Sequence, residues 1–251
     1  MLQKKFDSHI VIIGAGIAGL CISLYLTKNK VPHIILERGE IANTWIKERW
    51  ENFHLVNPNW AIKIPEFGYG SKYFPSNDPN GFLNKNETVD YIQSFAKYIG
   101  SEIYTNENVY SVSKQDHDYT IVTSKRTIKT NIVIIASGAF GDSYIPNINS
   151  ELNKNVLQLH SSEYKSIDKL PEEGVLVVGS GQSGAQIAEE LLEGDRKVWL
   201  SVSKCGRRPR NYRSKDSSWW NYEIGSFDKT VDDVPFEHRW GCSPHTSGGR
   251  G

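Results

Sequence analysis

The sequence is poor in the residues that mark a disulfide scaffold, a metal centre or a nucleic-acid binder. Its 251 residues include three cysteines, Cys21, Cys205 and Cys242, widely spaced and without a C-x-x-C. That usage fits a reducing compartment and excludes a redox-active dithiol in this chain. Lys plus Arg and Asp plus Glu each number 29, so no net charge draws the protein to a polyanion, and nucleic acid is excluded as the main partner. The seven histidines lack zinc-ligand spacing, and no metal site is expected. No apolar run has the length and purity of a membrane span. Ile10 to Leu26 follows Lys4 and Lys5 and has the look of a signal peptide. Asp7 interrupts the charged stretch, however, and glycines stand where a core turn needs them. A cytoplasmic protein without an export signal is the expectation.

Glycine is what the sequence does have, in two matched places. His9 to Ile13 is a β-branched run suited to a buried parallel strand. It leads straight into Gly14-Ala15-Gly16-Ile17-Ala18-Gly19. In such a G-x-G-x-x-G the first glycine makes the turn, the second lets backbone approach a pyrophosphate, and the third packs helix on strand. A helix is expected from Gly19 to about Asn29, with Leu20, Leu24 and Tyr25 on one face. A second strand, His33 to Leu36, ends at Glu37, 18 residues beyond Gly19. A carboxylate there suits ribose hydroxyls.

The same pattern returns 165 residues later as Gly179-Ser180-Gly181-Gln182-Ser183-Gly184, after the buried-strand run Val175 to Val178. A helix from Ser183 to Leu192 and a strand from Val198 to Val202 follow. Matching the two units by their first glycines sets Val202 opposite Glu37, so the acid is missing. Lys204, Arg207, Arg208 and Arg210 come next. A carboxylate would repel a 2′-phosphate, whereas arginine binds one bidentately, so the second site is expected to take NADPH rather than NADH. The fold class expected is α/β, with two Rossmann-like dinucleotide-binding domains, for FAD and NADP, and a small β-meander insertion.

Between the loops, Arg38 to Phe82 has no clear periodicity and is rich in Trp, Asn and Pro. A segment this long in a compact domain is usually functional, and it is expected to fold over the first ligand. A helix is predicted over Asn86 to Gly100, capped by Asn86, with a Val89, Ile92, Phe95 and Ile99 stripe. Ser101–Thr105, Val109–Ser113, Tyr119–Thr123 and Arg126–Thr130 form a meander, and Ile132 to Ala136 follows as a buried strand. The small residues Ser137 and Gly138 then let backbone approach a ligand. Gly138 to Lys169 is a crossover. Asn57 is a candidate polar group beside the first ligand, or simply the residue that caps an Asn-Pro turn. His160 is a candidate catalytic residue or a structural one.

These residues resemble the flavin-containing monooxygenases, and most closely bacterial flavoproteins of the CzcO type. The resemblance rests on the first loop with Glu37-Arg38 and Trp45, on Ala136-Ser137-Gly138 continuing to Ile145-Pro146, on V-G-S-G-Q-S-G-A-Q-I-A-E-E-L, and on Ser201-Val202-Ser203 to Arg207-Arg208-Pro209-Arg210. The family fingerprint F-x-G-x-x-x-H with Tyr or Trp four residues on is half present. His160 and Tyr164 are in place, while Lys154 and Val156 replace its Phe and Gly. The resemblance implies FAD bound by Gly14, Gly16, Gly19, Glu37, Arg38, Trp45, Ser137 and Gly138. It implies NADPH bound by Gly179, Gly181, Ser183, Gly184, Lys204, Arg207 and Arg208. It divides the chain into an FAD domain over residues 1–145 and, over 146–251, an NADP domain with the start of a segment returning to the first; the rest of that return is absent from the sequence. The implied reaction passes an oxygen atom from O2, by way of a peroxyflavin, to nitrogen, sulfur or a carbonyl of a small organic substrate. An NADPH oxidase or reductase without productive oxygenation, and a non-catalytic nucleotide-binding module, stay open as alternatives.

Overall fold

The computed structural model describes residues 10–138, 141, 143–203 and 209–233. Two parallel sheets carry the two glycine loops. The first is built from β1 (Ile10–Ile13), β2 (Ile34–Leu36), β3 (Glu102–Tyr104) and β7 (Ile132–Ile135), in the order β3-β2-β1-β7. Its centre is β1, where Val11 and Ile12 have no exposed surface. Helix α1 (Ile17–Lys28) crosses from β1 to β2, burying Leu20 and Leu24, while Tyr25 turns to solvent. A parallel pair needs such a crossover.

Helix α3 (Lys85–Ile99) packs beside α1, with Ile92, Phe95 and Ile99 buried. It starts earlier than the Asn86 expectation. Asn84 Oδ1 accepts a hydrogen bond from the Glu87 N–H, and the Glu87 carboxylate accepts one from the Asn84 N–H, both 2.9 Å. A capping box at Asn84 satisfies two backbone donors at once, which a lone cap at Asn86 does not.

The meander is smaller than expected. It consists of β4 (Val109–Gln115), β5 (Asp118–Thr123) and β6 (Thr127–Thr130), all antiparallel. The strand expected over Ser101–Thr105 belongs instead to the parallel sheet as β3, pairing Ile35 with Ile103. The meander packs through Ile121 and Ile128 onto Val11, Ile34 and Leu36.

The second sheet holds two strands among the described residues, β8 (Val175–Val178) and β9 (Val198–Ser201), joined through α4 (Gln182–Glu193). The expectation that β8 and β7 are fully buried does not hold. Leu176 is 61% exposed, Val178 74% and Ile135 73%. Among the described residues each strand has a neighbour on one side alone; β8 packs through Val175 and Val177 and leaves Leu176 and Val178 open, whereas β7 packs through Val133 and Ile134 and leaves its ends, Ile132 and Ile135, open. The hairpin β10 (Asn211–Tyr212) and β11 (Lys215–Asp216) and helix α5 (Ser217–Glu223) follow.

Residues 38–82 hold one short α-helix, α2 (Asn43–Glu48), a 3-10 turn at Asn59–Ala61 and otherwise turns and bends, as the lack of periodicity predicts. Their aromatics are mainly core. Trp50 and Phe67 are 1% exposed, Phe53 8% and Phe74 9%. Phe67 and Phe74 join the first core, whereas Trp50 and Phe53 pack against Tyr164, Ile187 and Leu191 of the second unit.

Candidate functional site

The two loops share one backbone design. Gly14 has φ +107° and Gly179 φ +101°, a region costly for any residue with a Cβ. Gly16 and Gly181 are extended N-caps, at φ −78° and −69°. A Cβ on Gly19 or Gly184 would stand 2.0 Å from the carbonyl oxygen of Gly14 or Gly179, so only hydrogen fits. At Gly16, by contrast, a Cβ would meet nothing within 4 Å. The protein's own packing does not require that glycine; its bare main chain leaves room for an incoming group. Neither α1 nor α4 has an acid in its first turn or a side-chain cap. Their free N–H groups and partial positive charge thus remain for an anion. The loops fit the pyrophosphates of two dinucleotides on these grounds.

Glu37 lies on the lip of the first loop. Gly14 N–H donates to Leu36 O at 2.8 Å, and Glu37 follows directly. Its carboxylate accepts from Ala15 N–H at 2.9 Å and Gly39 N–H at 3.0 Å. Its main chain is held on both sides, donating to Tyr104 O and accepting from Glu107 N–H, both at 2.9 Å. Glu107 is itself 1% exposed. Burial alone would raise its carboxyl. The bidentate Arg126 guanidinium, at 2.8 and 2.6 Å, and the Thr123 hydroxyl, at 2.8 Å, outweigh that and hold it below the ordinary carboxylate range.

Ser137 and Gly138 stand exposed beside the same turn. A Cβ on Gly14 would lie 2.5 Å from Ala136 O and 3.2 Å from Ser137 Cα. Arg38 pairs with Glu48 at 3.0 Å. Trp45 is half-buried, edge-on to Phe53 at 5.6 Å, with the Arg49 guanidinium 5.5 Å from its ring.

At the second loop, Gly179 N–H donates to Ser201 O at 3.0 Å, and Val178 pairs with Ser201 as Ile13 pairs with Leu36. Val202 is therefore the spatial counterpart of Glu37, and no carboxylate stands there. Ser183, in the first turn of α4, is half-buried. Lys204, Arg207 and Arg208 lie outside the described residues. Arg210 is engaged elsewhere. It pairs with Asp216 at 2.7 Å, donates to Val56 O at 2.8 Å and covers the Phe82 ring at 4.7 Å.

The two candidate catalytic residues are not brought together by any contact. Asn57 is exposed, and the buried asparagine of L-V-N-P-N-W is Asn59, which donates to Asp78 O at 2.9 Å. His160 is half-buried and organises a turn. Its Nδ1 meets the Ser162 and Ser143 hydroxyls at 2.9 and 3.0 Å, its N–H donates to Glu163 Oε2 at 2.8 Å, and its carbonyl accepts from the Glu163 and Tyr164 N–H groups.

Sequence reasoning missed the contact between the two units. Gln186 accepts from His54 N–H and donates to His54 O, both at 3.2 Å. Glu190, one helical turn further on, accepts from Asn52 Nδ2 at 3.1 Å. The signal was available in the polar residues at i and i+4 beside Ile187 and Leu191 on the buried face of α4.

Taken as a whole, strand, glycine turn, helix, strand and acid define a dinucleotide-binding α/β protein. Residues 11–229 match the pyridine nucleotide-disulphide oxidoreductase family, and the chain belongs to it. The family's description mentions disulphide chemistry, but this chain has no C-x-x-C. An uncharacterized CzcO-like oxidoreductase of Geobacillus kaustophilus is 35% identical over 86% of this chain and 60% of its own length. The chain thus spans about 60% of the length of the curated relatives it matches. A flavin-containing monooxygenase from Stenotrophomonas maltophilia has a similar fold, with TM-score 0.70 and 22% identity over 85% of this chain and 62% of that one. OTEMO, solved as a complex with FAD and NADP, has TM-score 0.61 and 17% identity over 89% of this chain and 44% of that one.

Proposed function

We propose that this chain carries the dinucleotide-binding machinery of an NADPH- and O2-dependent flavin monooxygenase acting on a small organic substrate at nitrogen, sulfur or a carbonyl. The observation that carries this reading is the pair of matched loops, one with Glu37 at its lip and the other with Val202 in the same place. In this reading residues 1–145 form the FAD unit, and 146–251 the NADP unit with the start of the returning segment. The CzcO-like relative, the monooxygenase fold and the FAD and NADP of the OTEMO complex support it.

When bound, NADPH supplies hydride and FAD accepts it and activates O2. The chain's own part is geometry and exclusion of water. Gly14 makes the turn, Gly16 leaves bare main chain and Gly19 packs α1 on β1, so that the open N–H groups at the start of α1 would face the flavin nucleotide's pyrophosphate, and Glu37, held by Ala15 and Gly39, would accept from its ribose hydroxyls. Arg38, Trp45, Ser137 and Gly138 border that site. Gly179, Gly181, Ser183 and Gly184 do the same for the nicotinamide nucleotide, and Lys204, Arg207 and Arg208 supply charge for its 2′-phosphate. Asn57 is the polar candidate near the flavin ring, and His160 shapes the turn into Tyr164.

The test begins with the absorption spectrum of the purified chain after FAD is added and the excess removed. Anaerobic NADPH should bleach the flavin bands and air should restore them. With amines, sulfides and ketones offered, NADPH consumption should exceed peroxide release for at least one. Peroxide equal to NADPH consumed for every compound refutes oxygenation and leaves an NADPH oxidase. A protein that stays colourless refutes the flavin site.

A further inference from the structure

The contact between the units is apolar with a few buried polar atoms in it. Trp50, Phe53, Tyr164, Ile187 and Leu191 form its centre. His54 has strand-like backbone: one edge bridges Asn84, and the other meets the Gln186 carboxamide, which donates and accepts like a short strand. Glu51 N–H crosses to Lys165 O at 2.8 Å. Trp50 Nε1, Tyr164 Oη and Glu190 Oε2 are buried without a hydrogen-bond partner, although Tyr164 lies against the Glu190 carboxyl.

We propose that Gln186 and Glu190 are positioning residues. From one face of α4 they latch the second glycine loop to the Asn52–His54 turn of the first unit, and the latch holds when Glu190 carries a proton. As a neutral acid, Glu190 still accepts from Asn52 and has a proton to donate to Tyr164 Oη. As an anion it would lie in an apolar contact, and an unpaired buried charge is strongly unfavourable.

The surrounding charges agree. Glu51 and Glu193 lie near enough to oppose a further negative charge. Asp168 lies beyond Tyr164. Arg196 is also nearby, but its guanidinium donates to the Pro171 and Glu173 carbonyls. His54 turns its imidazole Nδ1 to Asn52 O at 2.9 Å. Among the described residues no cation pairs with Glu190. Burial, with Glu51 and Glu193 adding to it, moves the Glu190 carboxyl above its ordinary range against the pull of Asn52 and Tyr164. A carboxyl raised in the docked state favours docking at low pH, and that gain is lost as pH rises through the docked-state value.

The experiment is amide hydrogen exchange on the whole chain, corrected for intrinsic rates, from about pH 5 to pH 9, the span in which buried glutamates titrate. The probes are the His54 and Glu51 amides, which bond across the contact, with Gly14, bonded within the first sheet, as control. Wild type should lose protection at His54 and Glu51 progressively as pH rises, the sense required of a carboxyl raised in the docked state. Glu190→Gln should keep protection throughout, and Gln186→Leu should lose it at His54 at every pH, with Gly14 unchanged in both. A Glu190→Gln profile that follows wild type, or a His54 amide indifferent to Gln186→Leu, overturns the proposal.

One further measurement rests on the function proposed above. In FAD-loaded protein the rate of flavin reduction by NADPH should fall with pH in wild type but not in Glu190→Gln, at unchanged NADPH affinity. A pH-dependent latch in protein whose flavin NADPH never reduces upholds the latch and refutes the monooxygenase reading. An exchange profile without the latch refutes the latch whatever NADPH does.

Discussion

The two glycine loops have the same local geometry in unlike surroundings. The first lies at the centre of a four-stranded sheet, with β7 and the meander around it; the second rises from a two-stranded sheet. The third glycines are equivalent, each with a carbonyl 2.0 Å from the Cβ position. The first glycines are not. A Cβ on Gly14 would strike Ala136 O at 2.5 Å, whereas one on Gly179 would meet nothing within 4 Å. Each unit also buries a carboxylate. Glu107 has the Arg126 guanidinium; Glu190 has an amide, a phenol and, among the described residues, no cation. A phosphate loop is thus fixed by its own backbone, while stability and titration are set by what surrounds it.

The largest effect should come from the carboxylates. Glu107→Gln leaves the Arg126 charge poorly paired and should cost about 3–5 kcal/mol in urea unfolding, the range for breaking a buried pair. Glu190→Gln should cost little or stabilise near neutral pH. The pH dependences run in opposite senses. Glu107 is held low, so its contribution is present above the ordinary carboxylate value and lost as pH falls through the folded-state value. Glu190 is held high, so its contribution is present at acid pH and lost as pH rises. Equal pH slopes in the two variants would break the comparison.

Next in size are the first glycines. Gly179→Ala should cost about 1–2 kcal/mol, the penalty of a left-handed residue. Gly14→Ala carries the same penalty and adds about 1–3 kcal/mol for crowding against Ala136. Unfolding midpoints that fall equally would show that β7 yields.

Much of this was legible in the sequence because it is local. Both loops, their crossover helices and the place of Glu37 directly after β2 follow from β-branched runs and glycine spacing. The absence of an acid at Val202 needs only the match of first glycines, and the register of β8 on β9 agrees. What escaped was non-local. Nothing in Ser101–Thr105 says whether it pairs antiparallel with β4 or parallel with β2, since both accept the same short run. Leu176 and Ile135 look like core by composition, yet burial depends on a neighbouring layer the strand does not encode. The grip of Gln186 on His54 joins residues 132 positions apart, and the binary pattern of α4 marks Gln186 only as a polar residue near an apolar stripe.

The third contrast is between Glu37 and Val202, and its test depends on the proposed NADPH site. Val202→Glu puts a carboxylate where a 2′-phosphate would lie. NADPH affinity, measured by calorimetry, should fall about 10- to 100-fold, the worth of one charge-assisted contact, while NADH affinity holds. Arg207→Ala and Arg208→Ala should move in the same direction. Equal losses for both nucleotides would remove the phosphate from the explanation.

The smallest expected effect separates two asparagines two residues apart. Asn59→Ala deletes a buried side chain that donates to the carbonyl of the exposed Asp78 and should cost about 0.5–1.5 kcal/mol, the net worth of one hydrogen bond. Asn57 is exposed and carries none of the side-chain hydrogen bonds described for this segment. Asn57→Ala should stay within about 0.5 kcal/mol of wild type in urea unfolding. That neutrality makes it the cleaner probe of chemistry. With the fold unchanged, altered reduction or reoxidation of bound flavin in Asn57→Ala would place its carboxamide at the ring. Unaltered rates would leave Asn57 as the residue that shapes the turn into Pro58.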